Sequence, residues 1–192
     1  MTRFQALVLT AAFCLLPGPG ALQAAPEQLE ADRQALLLLK TLSQDKNLKS
    51  RVKERVVVVL VSPTENPGGS CGAVLSALHA QSKEMTVAGL KVQIIHAPFQ
   101  TAESFGAGLE KLGAAAIYVC GGLEAHLGAI RAETRRLSVL SVSGVESQVR
   151  SGLSVGFVLR GEKAVLLLNL PALREEKVFL DPALLRVAEV IE

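Results

Sequence analysis

The sequence predicts an α/β fold: a three-layer sandwich, flavodoxin-like or Rossmann-like, with a mostly parallel sheet that ends in a C-terminal antiparallel hairpin. Three observations predict it. Continuous apolar runs such as Val56-Val57-Val58-Val59-Leu60-Val61 have the length and β-branching of strands buried on both faces. These runs alternate with stretches whose apolar residues recur at helical spacing, which is the order of βαβ units around a parallel sheet. In the last third, Leu153 to Leu159 and Ala164 to Leu170 are separated only by Arg160-Gly161-Glu162-Lys163, so those two strands must run antiparallel.

The elements follow in order. Ala35, Leu38, Leu39 and Leu42 fall at helical spacing and open the folded part with an amphipathic helix, and the polar stretch Ser43 to Glu54 leads from it into the first strand. Ser62-Pro63 ends that strand. After the loop Pro67-Gly68-Gly69-Ser70, with Ser70 as candidate N-cap, Cys71, Val74, Leu75 and Leu78 repeat with helical period. Leu90 to Ile95 reads as the second strand, Phe105, Leu109 and Leu112 mark a helix, Ala115 to Val119 a third strand, and Leu123, Leu127 and Ile130 another helix. Leu137 to Val142 is expected as a strand and Gly144 to Arg150 as a short helix. Asp181-Pro182 is a helix start, and Leu184, Leu185, Ala188 and Ile191 give a terminal helix its apolar face.

At the start of the chain, Arg3 precedes the apolar stretch Phe4 to Leu16, then Pro17-Gly18-Pro19-Gly20 and the small-residue segment around Ala24-Ala25. That order is the pattern of a cleaved secretory signal, and the run is too short to span a bilayer comfortably. Residues 1–25 are therefore expected to be a signal peptide, residues 26–192 a single α/β domain, and the mature N-terminus Ala25 or Pro26 of a soluble exported protein. Cys14 sits inside the apolar run, behind bulky Phe13, which argues against lipidation. With a whole-chain charge of +2, scattered Lys and Arg, no Trp and one Tyr, charge and aromatic content give no case for nucleic acid. Nor does so near-neutral a balance point to membrane lipid as a main target.

Chemistry-bearing motifs are sparse. The loop from Pro67 to Ser70 follows a strand and opens a helix, so its N–H groups could hold an anion, yet it lacks GxxxxGK[ST] or GxGxxG spacing and reads first as a glycine turn. In a sheet of this kind a ligand or partner would meet the C-terminal strand ends, a region that includes Ser62, Pro67, Gly68, Gly69, Ser70, Gly121 and Gly122. His79, His96 and His126 show no HxxxH or HExxH pairing, the serines no G-x-S-x-G elbow, and the cysteines no CxxC, so no catalytic, cofactor or metal site is expected. Cys71 opens the helix after strand one and Cys120 follows strand three. In a flavodoxin-like order those strands are neighbours, which makes a disulfide geometrically open to them, and the alternative is two buried thiols. Asn169, inside an apolar run, must find hydrogen-bond partners if buried and reads as a structural tie to a neighbouring loop.

The run Leu140-Ser141-Val142-Ser143, Gly152, Gly156-Phe157 before the hairpin, Leu168-Asn169-Leu170 and the closing Leu184-Leu185-Arg186-Val187-Ala188 resemble the YfiR-like family of periplasmic proteins, as does Leu42-Ser43-Gln44-Asp45-Lys46-Asn47-Leu48 before the first strand. The resemblance covers roughly residues 36 to 191, and its motifs are structural. It implies a non-enzymatic periplasmic regulator that represses a membrane-anchored signalling protein, such as a diguanylate cyclase, through that protein's periplasmic domain. The sequence departs from the family's pattern in two ways: Cys120 follows the third strand, where the family often has a cysteine before it, and the aromatic N-terminal segment is missing. A periplasmic small-ligand-binding domain, associated with a transporter or sensor and supported by the strand-end glycine loops, is the alternative reading.

Overall fold

The computed structural model describes residues 29–192, so the expected signal peptide and its cleavage site lie outside the described residues. Eight strands form one sheet in the order β2-β3-β1-β4-β5-β6-β7-β8. Its centre is β1 (Arg55–Ser62), flanked in parallel by β3 (Leu90–Pro98) and β4 (Ala114–Val119). Parallel pairing continues through β5 (Leu140–Ser143) to β6 (Val155–Arg160), and β7 (Lys163–Asn169) returns antiparallel to β6, closing the expected hairpin at Arg160↔Lys163. At the two edges, β2 (Thr86–Val87) pairs antiparallel to β3 and β8 (Glu189–Ile191) pairs parallel to β7.

The valine run works as a strand because both of its faces meet helices. Val56, Val58 and Leu60 join one core with α1 (Ala31–Ser43) and α3 (Gly69–Glu84), while Val57, Val59 and Val61 join a second with α4 (Ala102–Leu112) and α5 (Leu127–Leu137). Alternation along the strand thus feeds two separate cores. Leu38, Leu39 and Leu42 of α1 are fully buried, and each such side chain stabilises by about 1.5–3 kcal/mol.

Three expectations needed correction. Gly68, not Ser70, caps α3, and Ser70 is exposed. The strand expected from Leu137 begins at Leu140, because Leu137 still belongs to α5 and Ser138 takes the left-handed conformation that ends a helix (φ 57). The terminal helix lasts only four residues, α8 (Pro182–Leu185), started as expected by Asp181, whose side chain accepts from the Ala183 N–H at 2.8 Å. Beyond it the chain becomes β8, because pairing satisfies the free backbone groups of β7 at the sheet edge, whereas a continued helix would have found little core: Leu185 stays 38% exposed. Two short helices carry no strong signal in the sequence. These are α2 (Leu48–Arg51) and α7 (Leu170–Glu175), the latter started by Asn169 and Pro171.

Two buried carboxylates tie distant segments together. Asp45, between α1 and α2, pairs with Arg51 and accepts from the N–H groups of Asn47 (3.0 Å) and Phe179 (3.3 Å). Arg51 in turn donates to the Ser138 and Ala115 carbonyls. One ion pair therefore holds the α1–α2 turn, the C-terminal segment and the N-terminal end of β4. Glu176, after α7, is 1% exposed and accepts from the Ser141 N–H at 2.9 Å and the Ser154 hydroxyl at 2.5 Å.

Burial raises the Glu176 pKa above the ordinary carboxylate value, against the lowering effect of its hydrogen bonds from Ser141 and Ser154. The folded chain then holds this proton more tightly than the unfolded chain. The resulting stabilisation is complete below the ordinary glutamate pKa of about 4.3 and is lost as pH rises through the raised value. Glu176→Gln cannot ionise, so its urea midpoint should gain on that of the wild type as pH rises from the ordinary glutamate range toward neutrality. A difference that stays constant across that range would contradict this account.

Candidate functional site

The strand order β3-β1-β4-β5-β6 reverses direction at β1, and in open α/β sheets ligands bind beyond the carboxyl ends of the strands at such a switch point, here between β1 and β4. In this protein that position is stapled. Cys71, in the first turn of α3, is joined by a disulfide to Cys120, the residue after β4, with Cα atoms 5.5 Å apart. A Cβ on Gly122 would lie 3.5 Å from Pro63 Cγ, so the loops after β1 and β4 also approach each other closely.

The strand-end residues divide by exposure. Gly68, Gly69, Ser70, Gly121 and Gly122 are exposed and Pro67 is half-buried, so the loops present a surface. Ser62 is fully buried. Gly69 sits at φ 55, a backbone conformation that glycine adopts without strain. His96 lies within β3, opposite Leu60. Its Nε2 is 2.7 Å from Ser62 Oγ, and Ser62 Oγ is also 2.6 Å from the Thr64 carbonyl. A hydroxyl has one proton. The carbonyl can only accept it, so Ser62 donates to Thr64 and the His96 Nε2–H donates to Ser62. In that arrangement His96 cannot serve as the base for a serine nucleophile. His126, in the 3-10 turn Glu124–His126, stacks on Phe99 with ring centroids 4.8 Å apart.

Behind β4 and β5 the polar groups satisfy one another. Ser143 Oγ lies within hydrogen-bonding distance of the Val119 carbonyl (3.0 Å) and Gln148 Oε1 (2.8 Å) and accepts from the Val145 N–H (3.0 Å). Gln148, on the short helix α6 (Glu146–Arg150), donates to the Cys120 carbonyl at 3.1 Å and to Glu124 Oε1 at 3.0 Å. The N–H of Glu124 itself, then the Gln148 amide and the Gly122 N–H, hold the Glu124 carboxyl below its usual range despite partial desolvation. Beside them Tyr118 donates to Gln34 Oε1 at 2.5 Å, linking β4 to α1, and burial pushes its phenol above the ordinary value. Gly144 makes room for this pair: a Cβ there would lie 2.2 Å from Gln34 Oε1 and 2.7 Å from Tyr118 Oη.

Sequence reading did not find Gln148, Glu124 or Gln34. Each acts through a partner 24 to 84 residues away, and no spacing rule reports such pairs. Asn169 is buried. It donates to the Val149 carbonyl at 3.0 Å and accepts from the Ala172 N–H at 3.1 Å, tying α6 to the start of α7.

Among the described residues no group of three or more His, Cys, Asp or Glu side chains is placed to hold a metal ion, and no helix is long and apolar enough to cross a membrane. No curated protein matches the chain. Solved structures match its fold at low identity. A conserved domain protein from Vibrio cholerae has a TM-score of 0.60 at 11% identity, covering 84% of this chain and 60% of its own. A domain in complex with L-Trp from Streptococcus pneumonia gives 0.57 at 14%, covering 84% and 60%. A ligand-free, open substrate-binding protein with adhesive properties from Clostridium difficile gives 0.61 at 9%, covering 85% and 60%. The chain thus spans 60% of the length of each of these three structures. A family model described as YfiR/HmsC-like matches residues 49–189, and the chain belongs to that family.

Proposed function

We propose that this protein is a periplasmic regulatory binding protein that represses a membrane-anchored signalling protein, such as a diguanylate cyclase, by binding that protein's periplasmic domain. Family membership supports the periplasmic regulatory role. The observation that carries the choice of a protein partner is the Cys71–Cys120 disulfide across the switch point. It joins the first turn of α3 to the residue after β4 and so holds two exposed segments, Pro63 to Ser70 and Gly121-Gly122, together as one surface. A preordered surface loses little conformational freedom on docking, which favours association with another folded domain. A repressor must also prefer one state of its target, since equal affinity for both states shifts nothing. A rigid face can discriminate between two shapes of a partner.

Deleting the gene should raise cyclic-di-GMP signalling. Ser70→Arg, in the exposed first turn of α3, and Gly121→Arg, in the exposed loop after β4, should reproduce the deletion while circular dichroism and the urea midpoint stay at wild-type values. The second reading, a small-solute-binding domain, draws on the fold likeness to a substrate-binding protein and to a domain solved with L-Trp. It takes over if signalling is unchanged by deletion and the purified protein binds a small solute tightly.

A further inference from the structure

The charge that is scattered along the sequence is not scattered in space. At the end of the sheet opposite the disulfide, the chain runs from α2 into β1 through Arg51-Val52-Lys53-Glu54-Arg55. These residues form one wall of a cleft of about 410 Å³ whose other wall is the end of α4, Glu110 to Gly113, with Val57 at its floor. Lys91 opens the same edge, since it lies directly beside Arg55 in the β1–β3 register.

The lining is positive once its internal pairs are removed. Arg51 is spent on Asp45 and on two backbone carbonyls, whereas Glu110 shares Arg136 with the nearer Glu133 and keeps negative charge. Lys53, Arg55, Lys91 and Lys111 make no ion pair with any described carboxylate. Against these four cations stand Glu54, Glu110 and the C-terminal end of α4, whose dipole is equivalent to about half a negative charge. The cations prevail. Close by, Gln93 lies opposite Val57 in the register, and its Oε1 is buried with no hydrogen-bond partner. Lysine and arginine around a concave, headgroup-sized space are the side chains that recognise phosphate.

We infer that the cleft between the α2–β1 segment and the end of α4 binds a phosphate group through Lys53, Arg55 and Lys111, with Lys91 beside them. Two sources share that chemistry, an anionic phospholipid headgroup and a soluble phosphate. The inference is independent of the repressor reading, because the cleft lies at the opposite end of the sheet from the loops assigned to the partner.

The test uses the purified mature protein with vesicles of phosphatidylglycerol or of phosphatidylcholine, and separately with inorganic phosphate followed by thermal shift. Selective sedimentation with phosphatidylglycerol, weakened by salt, identifies the lipid source. Stabilisation by inorganic phosphate without vesicle binding identifies the soluble one. In either case Lys53→Gln/Lys111→Gln should lower the affinity, and for the lipid by about thirtyfold, corresponding to about 1 kcal/mol for each lysine. Lys163→Gln, at the start of β7, should leave it unchanged, and circular dichroism checks that each variant is folded. Binding to neither probe, or binding that survives Lys53→Gln/Lys111→Gln, overturns the inference.

Discussion

Asp45→Ala should cost the fold about 3 to 5 kcal/mol, the range for removing one partner of a buried ion pair. The Asp45 side chain is fully buried and that of Arg51 is only 13% exposed, so the arginine left behind would be a largely desolvated charge without its partner. Two backbone N–H groups, of Asn47 and Phe179, would lose their acceptor at the same time. Urea unfolding measures the loss directly. Adding Arg51→Met should restore part of it, because an apolar side chain in place of the stranded guanidinium removes the unpaired charge. A loss below about 1 kcal/mol, the range of exposed pairs, would show that the site hydrates readily and that the pair is not a structural tie.

Replacing both Cys71 and Cys120 by Ala should lower stability by about 2 to 4 kcal/mol, because the bridge closes a loop 49 residues long. The loop encloses α3, β2, β3, α4 and β4, so the unfolded chain loses much of its freedom when the bond is present. Reduction of the wild type should reproduce the double variant. Alkylation of unreduced, denatured protein gives the decisive control: ready labelling of both thiols would mean that there is no bridge to lose. If the bridge also presents the partner surface, repression should weaken in the double variant even where the fold is retained.

Much of the sheet could be read from the sequence because a valine run with helices on both sides has few other solutions. The adjacency of Cys71 and Cys120 followed from strand order alone. The C-terminal strand was not legible, since Leu184, Leu185, Ala188 and Ile191 fit a helical face equally well and only the free edge of β7 decides between them. His96 with Ser62, and Gln148 with Glu124, were hidden for a different reason. Their meeting depends on register between strands and on loop closure, to the nearest residue. The basic cleft was invisible because its charges come from positions 53 to 55, 91 and 111, each unremarkable alone beside neighbouring acids.

The part of the chain that the family model matches is shorter than the part that completes the core. The family match begins at residue 49, after α1, yet α1 supplies Leu38, Leu39 and Leu42 to the interior and Gln34 to the buried hydroxyl of Tyr118. Asp45, the partner of Arg51, lies outside the match as well. A fragment cut at the start of the match would therefore lose α1 from the face of the central strands that it shares with α3, and would leave a stranded arginine and a stranded tyrosine. For this protein, the span the family model recognises and the span that is mechanically self-sufficient have different borders, and the second is the wider.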